Sequence, residues 1–508
     1  YKQHSVPDYR PFLKSTPAYP MHDIQYPPQL ATLNTMFIDG GPVAAQSGAQ
    51  IDVRDPATNQ VIGSLPRASA SDVNHAVQCA GQAMNGAWRN LDPTARAHIL
   101  HEIARRIRKQ ATLFTQIETI DVGKPLSQAE RDVGRAADYF DYYAGMVDKL
   151  QGETIPLGRN KFSFTVLDPV GVTAHIVPWN YPISTVCRDL APSLACGNTA
   201  VVKPAEDTSL STLLLARITL EAGLPAGVMN VVTGLGEEAG DALARHPGVG
   251  HVAFTGSVNT GRHVMRAAAD SLAGITLELG GKSPVTVLRD ADLDLAVNGI
   301  VRGIFFNAGQ ICTAGSRLVV DESIHSELLE KVIARATTLT IDHGLKDPEM
   351  GPLVSQTQRQ RVAGFVDRAR AAGMEILTGG QPAEVPGLED GAFYQPTVVD
   401  QVPRDAEIAQ EEVFGPVLTV HTVSDPDEAV AAANDTRFGL VAGIYTRDIG
   451  LAMQFARDIR AGQVFINGYL QAGDTVPFGG FKESGSGRTK GLEALRNYCE
   501  VKAITTVF

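Results

Sequence analysis

No run of about 18 consecutive apolar residues occurs in the chain, so it offers no membrane-spanning helix. Positive charge is not in excess: 44 Lys and Arg stand against 56 Asp and Glu, and the formal net charge of -12 argues against nucleic acid as a partner. Cysteine is scarce and scattered. Cys79, Cys187, Cys196, Cys312 and Cys499 are odd in number, far apart, and form neither a C-x-x-C nor a Cys/His zinc spacing. This pattern predicts free thiols in a reducing, cytoplasmic setting and no metal centre. The segment 1–35 lacks the apolar core of a signal peptide and reads as an irregular Pro- and Tyr-rich arm. What the chain does have is an ordinary globular balance, 44% hydrophobic and 20% charged over 508 residues, enough for roughly two to four domains.

From 69 to 150 the pattern is helical, with Ile99, Leu100, Ile103 and Ile107 at three- and four-residue spacings on one face. The texture then changes to short β-branched runs that begin near Val170, Thr199, Val228, His251 and Ile275. That cadence of strand, helix and strand predicts a parallel, doubly wound α/β sheet. The segment 207–223 reads as one crossover helix, with Thr208 or Ser209 able to cap its start and Gly223 and Pro225 ending it. Beyond Pro284 a second strand and helix series begins, which predicts a second α/β domain. The segments 160–167 and 500–508 fit neither series and look like strands free to pair elsewhere, for example with another subunit.

Several residues fall where an open α/β sheet binds ligands, beyond the carboxyl ends of its strands. Asn180 follows the strand near Val170; it is either an amide aimed at a ligand or a turn residue. Lys203 and Glu206 follow the next strand and suit ribose hydroxyls, or form a solvated pair. Gly256 and Ser257 open a helix whose backbone amides would attract phosphate, or mark a plain helix start, since there is no G-x-G-x-x-G. Glu278 sits in an apolar strand before two glycines, where burial would raise its pKa and suit it to general base work, or it is a satisfied carboxylate at a sheet edge. Cys312 lies in the small-residue loop 309–315 after a helix over 292–306; it is either a thiol that substrate can reach, as a nucleophile must be, or an inert buried cysteine. Glu412 and Phe414 offer a carboxylate for sugar hydroxyls and a ring for packing, or belong to an ordinary loop.

Together and in this order these motifs resemble the NAD(P)-dependent aldehyde dehydrogenase superfamily from about Met36 to Phe508. The strongest matches are the glutamate motif 277–281 and the cysteine motif 309–312, with Glu278 and Cys312 separated by 34 positions. The resemblance implies a Rossmann-like cofactor domain (36–146 and 170–280), a catalytic domain (281–483) and a β oligomerisation extension (147–169 and 484–508) that would build a homodimer or homotetramer. It implies a Cys312 nucleophile, a Glu278 base and an oxyanion site of the Asn180 amide with the Cys312 N–H. The cofactor is NAD, with NADP possible. Its contacts would be Ile176, Trp179, Lys203, Glu206, Gly236, Gly256, Ser257, Leu279, Glu412 and Phe414, Glu206 disfavouring a 2'-phosphate. The implied aldehyde tunnel comprises Tyr181, Thr185, Arg188, Ile311, Thr313, Leu470 and Phe478. Arg188 stands eight residues after Asn180, where semialdehyde enzymes resemble this chain in placing an Arg for a substrate carboxylate. Phe306 occupies the place of their second Arg, so the substrate is expected to be a polar, acidic or aromatic aldehyde. Alternatively, Arg188 is an ion-pair partner of Asp189.

Three rivals remain at this stage. A cofactor-independent thiol hydrolase would need a His base, but none of the 12 His lies in a recognisable Cys/His signature. A coenzyme A-acylating enzyme would by resemblance lack the glutamate found at Glu278. A non-catalytic protein on the same fold would have no use for Asn180, Glu278 and Cys312 together.

Overall fold

The structure, a computed structural model, describes residues 25–508, so most of the arm expected over 1–35 lies outside the described residues. The helical region resolves into Ala70–Met84, Pro93–Lys109, Ala111–Val122 and Leu126–Ala144. Pro93–Lys109 starts where Asp92 accepts a hydrogen bond from the Ala95 N–H and Pro93 fills the first helical position. Its stripe of Leu100, Ile103 and Ile107 is buried in a core shared with Leu190 and Leu194 of the Pro182–Ala195 helix.

Next come parallel strands at Val172–Ile176, Thr199–Lys203, Met229–Val231, His251–Thr255 and Gly274–Glu278, close to the expected starts. From Val172–Ile176 the chain builds outward through Thr199–Lys203 to Met229–Val231, then returns to lay His251–Thr255 and Gly274–Glu278 on the other side. The order therefore reverses beside Val172–Ile176. Loops leaving the two strands there diverge and open a crevice at their carboxyl ends.

The crossover helix is Leu210–Glu221, and its cap differs from expectation. Neither Thr208 nor Ser209 caps it through its side chain: the Ser209 hydroxyl donates back to the Ala205 carbonyl. The Leu210 N–H is instead taken by Asp121, 89 positions earlier in the chain. Because that carboxylate arrives from another helix, local sequence could not reveal it.

A second sheet has seven strands in the order Glu375–Thr378, Thr397–Asp400, Val417–Val423, Arg317–Asp321, Pro284–Val287, Val441–Tyr445, Gln463–Ile466. All its pairings are parallel except the one made by Glu375–Thr378. The helix expected over 292–306 is Leu293–Phe305, since Asp292 is its cap and accepts from the Leu295 N–H.

The two stray strands, Lys161–Pro169 and Cys499–Val507, pair with each other rather than with separate partners, forming a three-stranded sheet with Thr154–Ile155. Gly485–Ser486, within the segment expected to belong to that extension, instead pairs with Gly274–Glu278 at the edge of the first sheet. Among the described residues no helix is long and apolar enough to cross a membrane.

Candidate active site

A cavity of about 300 Å³ opens at the crevice and takes its walls from both large sheets. It gathers Asn180, Glu278 and Cys312 from three separate stretches of chain. Trp179, Gly256, Ser257, Leu279, Glu412 and Phe414 also line it, as do Tyr181, Thr185, Arg188, Ile311, Thr313, Leu470 and Phe478. Ile176, Lys203, Glu206 and Gly236 do not. Ile176 and Lys203 are the last residues of neighbouring strands, and Gly236 begins a short turn after Met229–Val231. The Lys203–Glu206 pair is half buried: the Lys203 ammonium is enclosed and reaches Glu206 at 2.9 Å, while Glu206 stays open.

The Cys312 loop is formed by an abrupt turn. After Phe305 the backbone enters the left-handed region at Asn307, Ala308 and Gly309 in succession, with φ of 49°, 52° and 72°. Such a run is costly for residues bearing a Cβ and persists only where the surroundings fix it. Here the Asn307 N–H donates to Gln128 at 3.0 Å, and the Gln310 side chain accepts from the Val354 N–H at 2.8 Å. Gly309 has no alternative, because a Cβ there would lie 2.1 Å from the Gly415 carbonyl oxygen.

The glycines after Glu278 permit two close approaches. A Cβ on Gly281 would stand 2.4 Å from the Cys312 carbonyl oxygen, and one on Gly280 would stand 2.2 Å from the Glu412 carboxylate. Glu412 can therefore lie against the backbone, accepting from the Gly281 N–H at 2.9 Å. Phe414, at φ 58°, packs edge-on against Trp179 with ring centroids 5.1 Å apart.

Asn180 is held by its own carbonyl. The Lys124 ammonium donates to that oxygen at 2.9 Å and to Asp132 at 2.6 Å, and it lies 4.2 Å from the centre of the Tyr181 ring. The Asn180 amide donates to the Gln310 carbonyl at 2.8 Å, which leaves its second N–H for another acceptor. The Cys312 N–H has no backbone partner among the described residues. Lys124→Met should strand Asp132 as a buried carboxyl without its partner and cost about 3–5 kcal/mol. A fall in the urea midpoint of unfolding checks this; an unchanged midpoint would contradict it.

Burial dominates the titration of the site. It pushes the Glu278 carboxyl up to about 8, Arg188 opposing and Asp189 adding to the rise. One Glu278 oxygen has no hydrogen-bond partner, and the other is 3.5 Å from the Thr489 hydroxyl. Burial also pushes the Cys312 thiol up to about 12, the Glu412 charge adding and Arg188 opposing, and the Glu412 carboxyl up to about 7 against the Gly281 N–H.

Arg188 lines the cavity, but its charge is already paired. The Pro182–Ala195 helix that carries it is buried on every side, so its charge must be met locally. Two of its nitrogens bind Asp189 at 2.9 and 3.0 Å, and one of these also donates to Thr255 at 2.7 Å. The ion-pair alternative is what the structure contains. Sequence reasoning missed Arg131, Arg135, Tyr139, Arg302 and Lys490, which also line the cavity. The four-residue spacing of Arg131, Arg135 and Tyr139 was the available signal, but a charged helical face reads equally well as solvent-facing. Among the described residues no His lines the cavity, so a Cys/His hydrolase finds no base among them. Among the described residues no group of His, Cys, Asp or Glu is arranged to hold a metal ion.

Comparison with known proteins gives a consistent picture. Residues 43–504 match the Aldehyde dehydrogenase family. The chain is 43% identical over 475 residues to a hydroxyisobutyraldehyde dehydrogenase of Mycolicibacterium austroafricanum, covering 93% of this chain and 94% of that protein. It is 41% identical over 478 residues to aldehyde dehydrogenase [NAD(P)+] 2 of Saccharomyces cerevisiae, covering 92% and 94%. An NAD+ complex of aldehyde dehydrogenase from Bacillus cereus superposes with a TM-score of 0.93 at 38% identity, covering 95% of this chain and 99% of that one.

Proposed function

This chain belongs to the aldehyde dehydrogenase family, and we propose that it oxidises a polar, acidic or aromatic aldehyde to the carboxylic acid through a thioester on Cys312. The observation that carries this reading is the convergence of Asn180, Glu278 and Cys312 on one cavity. The Cys312 thiolate adds to the aldehyde carbon, forming a C–S bond and an oxyanion. That oxyanion is stabilised by the free Asn180 N–H and the Cys312 N–H, preorganised donors in a site that excludes bulk water.

The residues present fit a dinucleotide. The glycine cradle that admits Glu412, the Trp179–Phe414 pair and the Ser257-capped start of the Val258–Ala269 helix together offer a carboxylate, aromatic faces and N–H donors. Gly256 and Ser257 would take the pyrophosphate, Lys203 and Glu206 the adenosine ribose, and Glu412 the nicotinamide ribose; Ile176, Trp179, Gly236, Leu279 and Phe414 would pack around the rest. NAD, when bound, supplies the hydride acceptor that turns the adduct into a thioester. Glu278 then removes a proton from water, whose oxygen attacks the thioester carbon as the C–S bond breaks, freeing the acid and the Cys312 thiolate.

The Glu206 carboxylate, open to solvent on its free side, supports NAD over NADP because a 2'-phosphate would meet like charge. The uncovered strand Cys499–Val507, with Val501 and Val507 exposed, supports a homodimer or homotetramer, which light scattering would measure. The division into cofactor, catalytic and pairing parts, and a cytoplasmic location, belong to the same reading. The direct test is a panel of aldehydes assayed with NAD and with NADP for aldehyde-dependent formation of reduced cofactor. NAD should be used the more efficiently, and no reduction with any aldehyde would overturn the proposal.

A further inference from the structure

Four cations that the reaction scheme leaves unused share the cavity wall with Tyr139, Tyr181 and Phe478. Arg131 and Arg135 come from one face of the Leu126–Ala144 helix, Arg302 from the last turn of Leu293–Phe305, and Lys490 from the loop after Gly485–Ser486. Their acid partners are few. Among the described residues neither Arg131 nor Arg302 forms an ion pair, while Arg135 and Lys490 share one carboxylate, Asp474, at 3.8 Å from each. That distance is too long for a hydrogen bond, so neither charge is fully met.

The cations are graded in depth. Arg131, Arg135 and Arg302 are exposed at the mouth, whereas the Lys490 side chain retains only 18% exposure. Lys490 lies 5.5 Å from the centre of the Phe478 ring and 5.8 Å from that of Tyr139, and no hydrogen bond to it occurs among the described residues. Its backbone is in the left-handed region at φ 60°, an arrangement kept only where surrounding structure enforces it. The nearby acids do not balance the group: Asp132 is bound to Lys124, and burial favours the protonated form of Glu278 at neutral pH. In a chain of net charge -12, this is a local positive funnel ending on a partly buried ammonium.

We propose that the aldehydes this enzyme takes carry a carboxylate remote from the aldehyde carbon, that Lys490 is the specificity-determining residue that holds it, and that Arg131, Arg135 and Arg302 draw it into the cavity. The assignment rests on the aldehyde-oxidising reading above and deepens it. It moves recognition of the carboxylate from Arg188, already bonded to Asp189 and Thr255, to a cation without a bonded partner. One partly buried ammonium matches one carboxylate. A phosphate monoester would bring a further charge into the enclosed site.

The test compares kcat/KM for short dicarboxylic-acid semialdehydes, alkanals and hydroxyaldehydes of matched length, and an aldehyde phosphate. Wild-type enzyme should favour the semialdehydes by about tenfold or more, chiefly through KM, and the preference should shrink as salt rises from about 0.05 to 0.5 M. Lys490→Met should cut the ratio of semialdehyde to neutral aldehyde by about tenfold, and Lys490→Arg should restore part of it. A ratio at or below one in wild type, a preference for the phosphate, or equal losses for both classes in Lys490→Met would overturn the proposal. Should that variant not fold, a salt-independent wild-type ratio overturns it without any substitution. NADH formation with no preference among classes defeats this inference alone; the absence of NADH with every aldehyde defeats the underlying reading as well.

Discussion

Cys312→Ala should reduce aldehyde-dependent NADH formation by about 10⁴-fold or more, because Cys312 is the only thiol lining the cavity among the described residues. The remaining cysteines cannot substitute. Cys79, Cys187 and Cys196 are buried, and Cys499, on the strand that pairs with Lys161–Pro169, does not line the cavity. Folding should survive, since the loop owes its shape to the left-handed run at Asn307–Gly309 and to contacts from Gln128 and Val354, none of which uses the thiol. A normal unfolding midpoint with NADH formation at the background rate is therefore expected. Substantial turnover by this variant would remove Cys312 from its role.

Glu278→Gln should separate the two halves of the reaction. Hydride transfer does not need the base, so one equivalent of NADH per site should appear in a burst. The following steady rate should fall by about 10²- to 10⁴-fold, the usual contribution of a general base. The pH profile gives an independent check. The base works only when ionised and burial raises its pKa to about 8, so the steady rate of wild type should fall about tenfold per pH unit below that value and level off above it. In Glu278→Gln this limb should vanish. The raised pKa of Cys312 bears on the burst rate instead, so the two ionisations are read in different phases. An unchanged steady rate in Glu278→Gln would contradict the assignment.

The parts of the fold that were legible in sequence are those written locally. The strand cadence from 172 to 278 appears as β-branched runs at regular spacing, and Asn180, Glu278 and Cys312 each sit beside residues whose size or turn chemistry marks them. Gly280 and Gly281 look like ordinary turn glycines, yet each is required by one close approach, to Glu412 and to the Cys312 carbonyl. What was not legible depends on distant partners. Asp121 capping Leu210 and Lys124 holding the Asn180 carbonyl join residues 89 and 56 positions apart. Arg188 attracted attention by its spacing from Asn180, but its neighbour Asp189 occupies it. The cations of the tunnel went unseen because a helix bearing Arg131 and Arg135 has the same sequence pattern whether that face meets water or a cavity.

The most direct test of the covalent account is mass spectrometry of Glu278→Gln quenched during turnover with NAD and an aldehyde substrate. The account predicts a single acyl adduct, the aldehyde less two hydrogens, on the peptide containing Cys312. NADH accumulating with no adduct, or an adduct on any other residue, would contradict it.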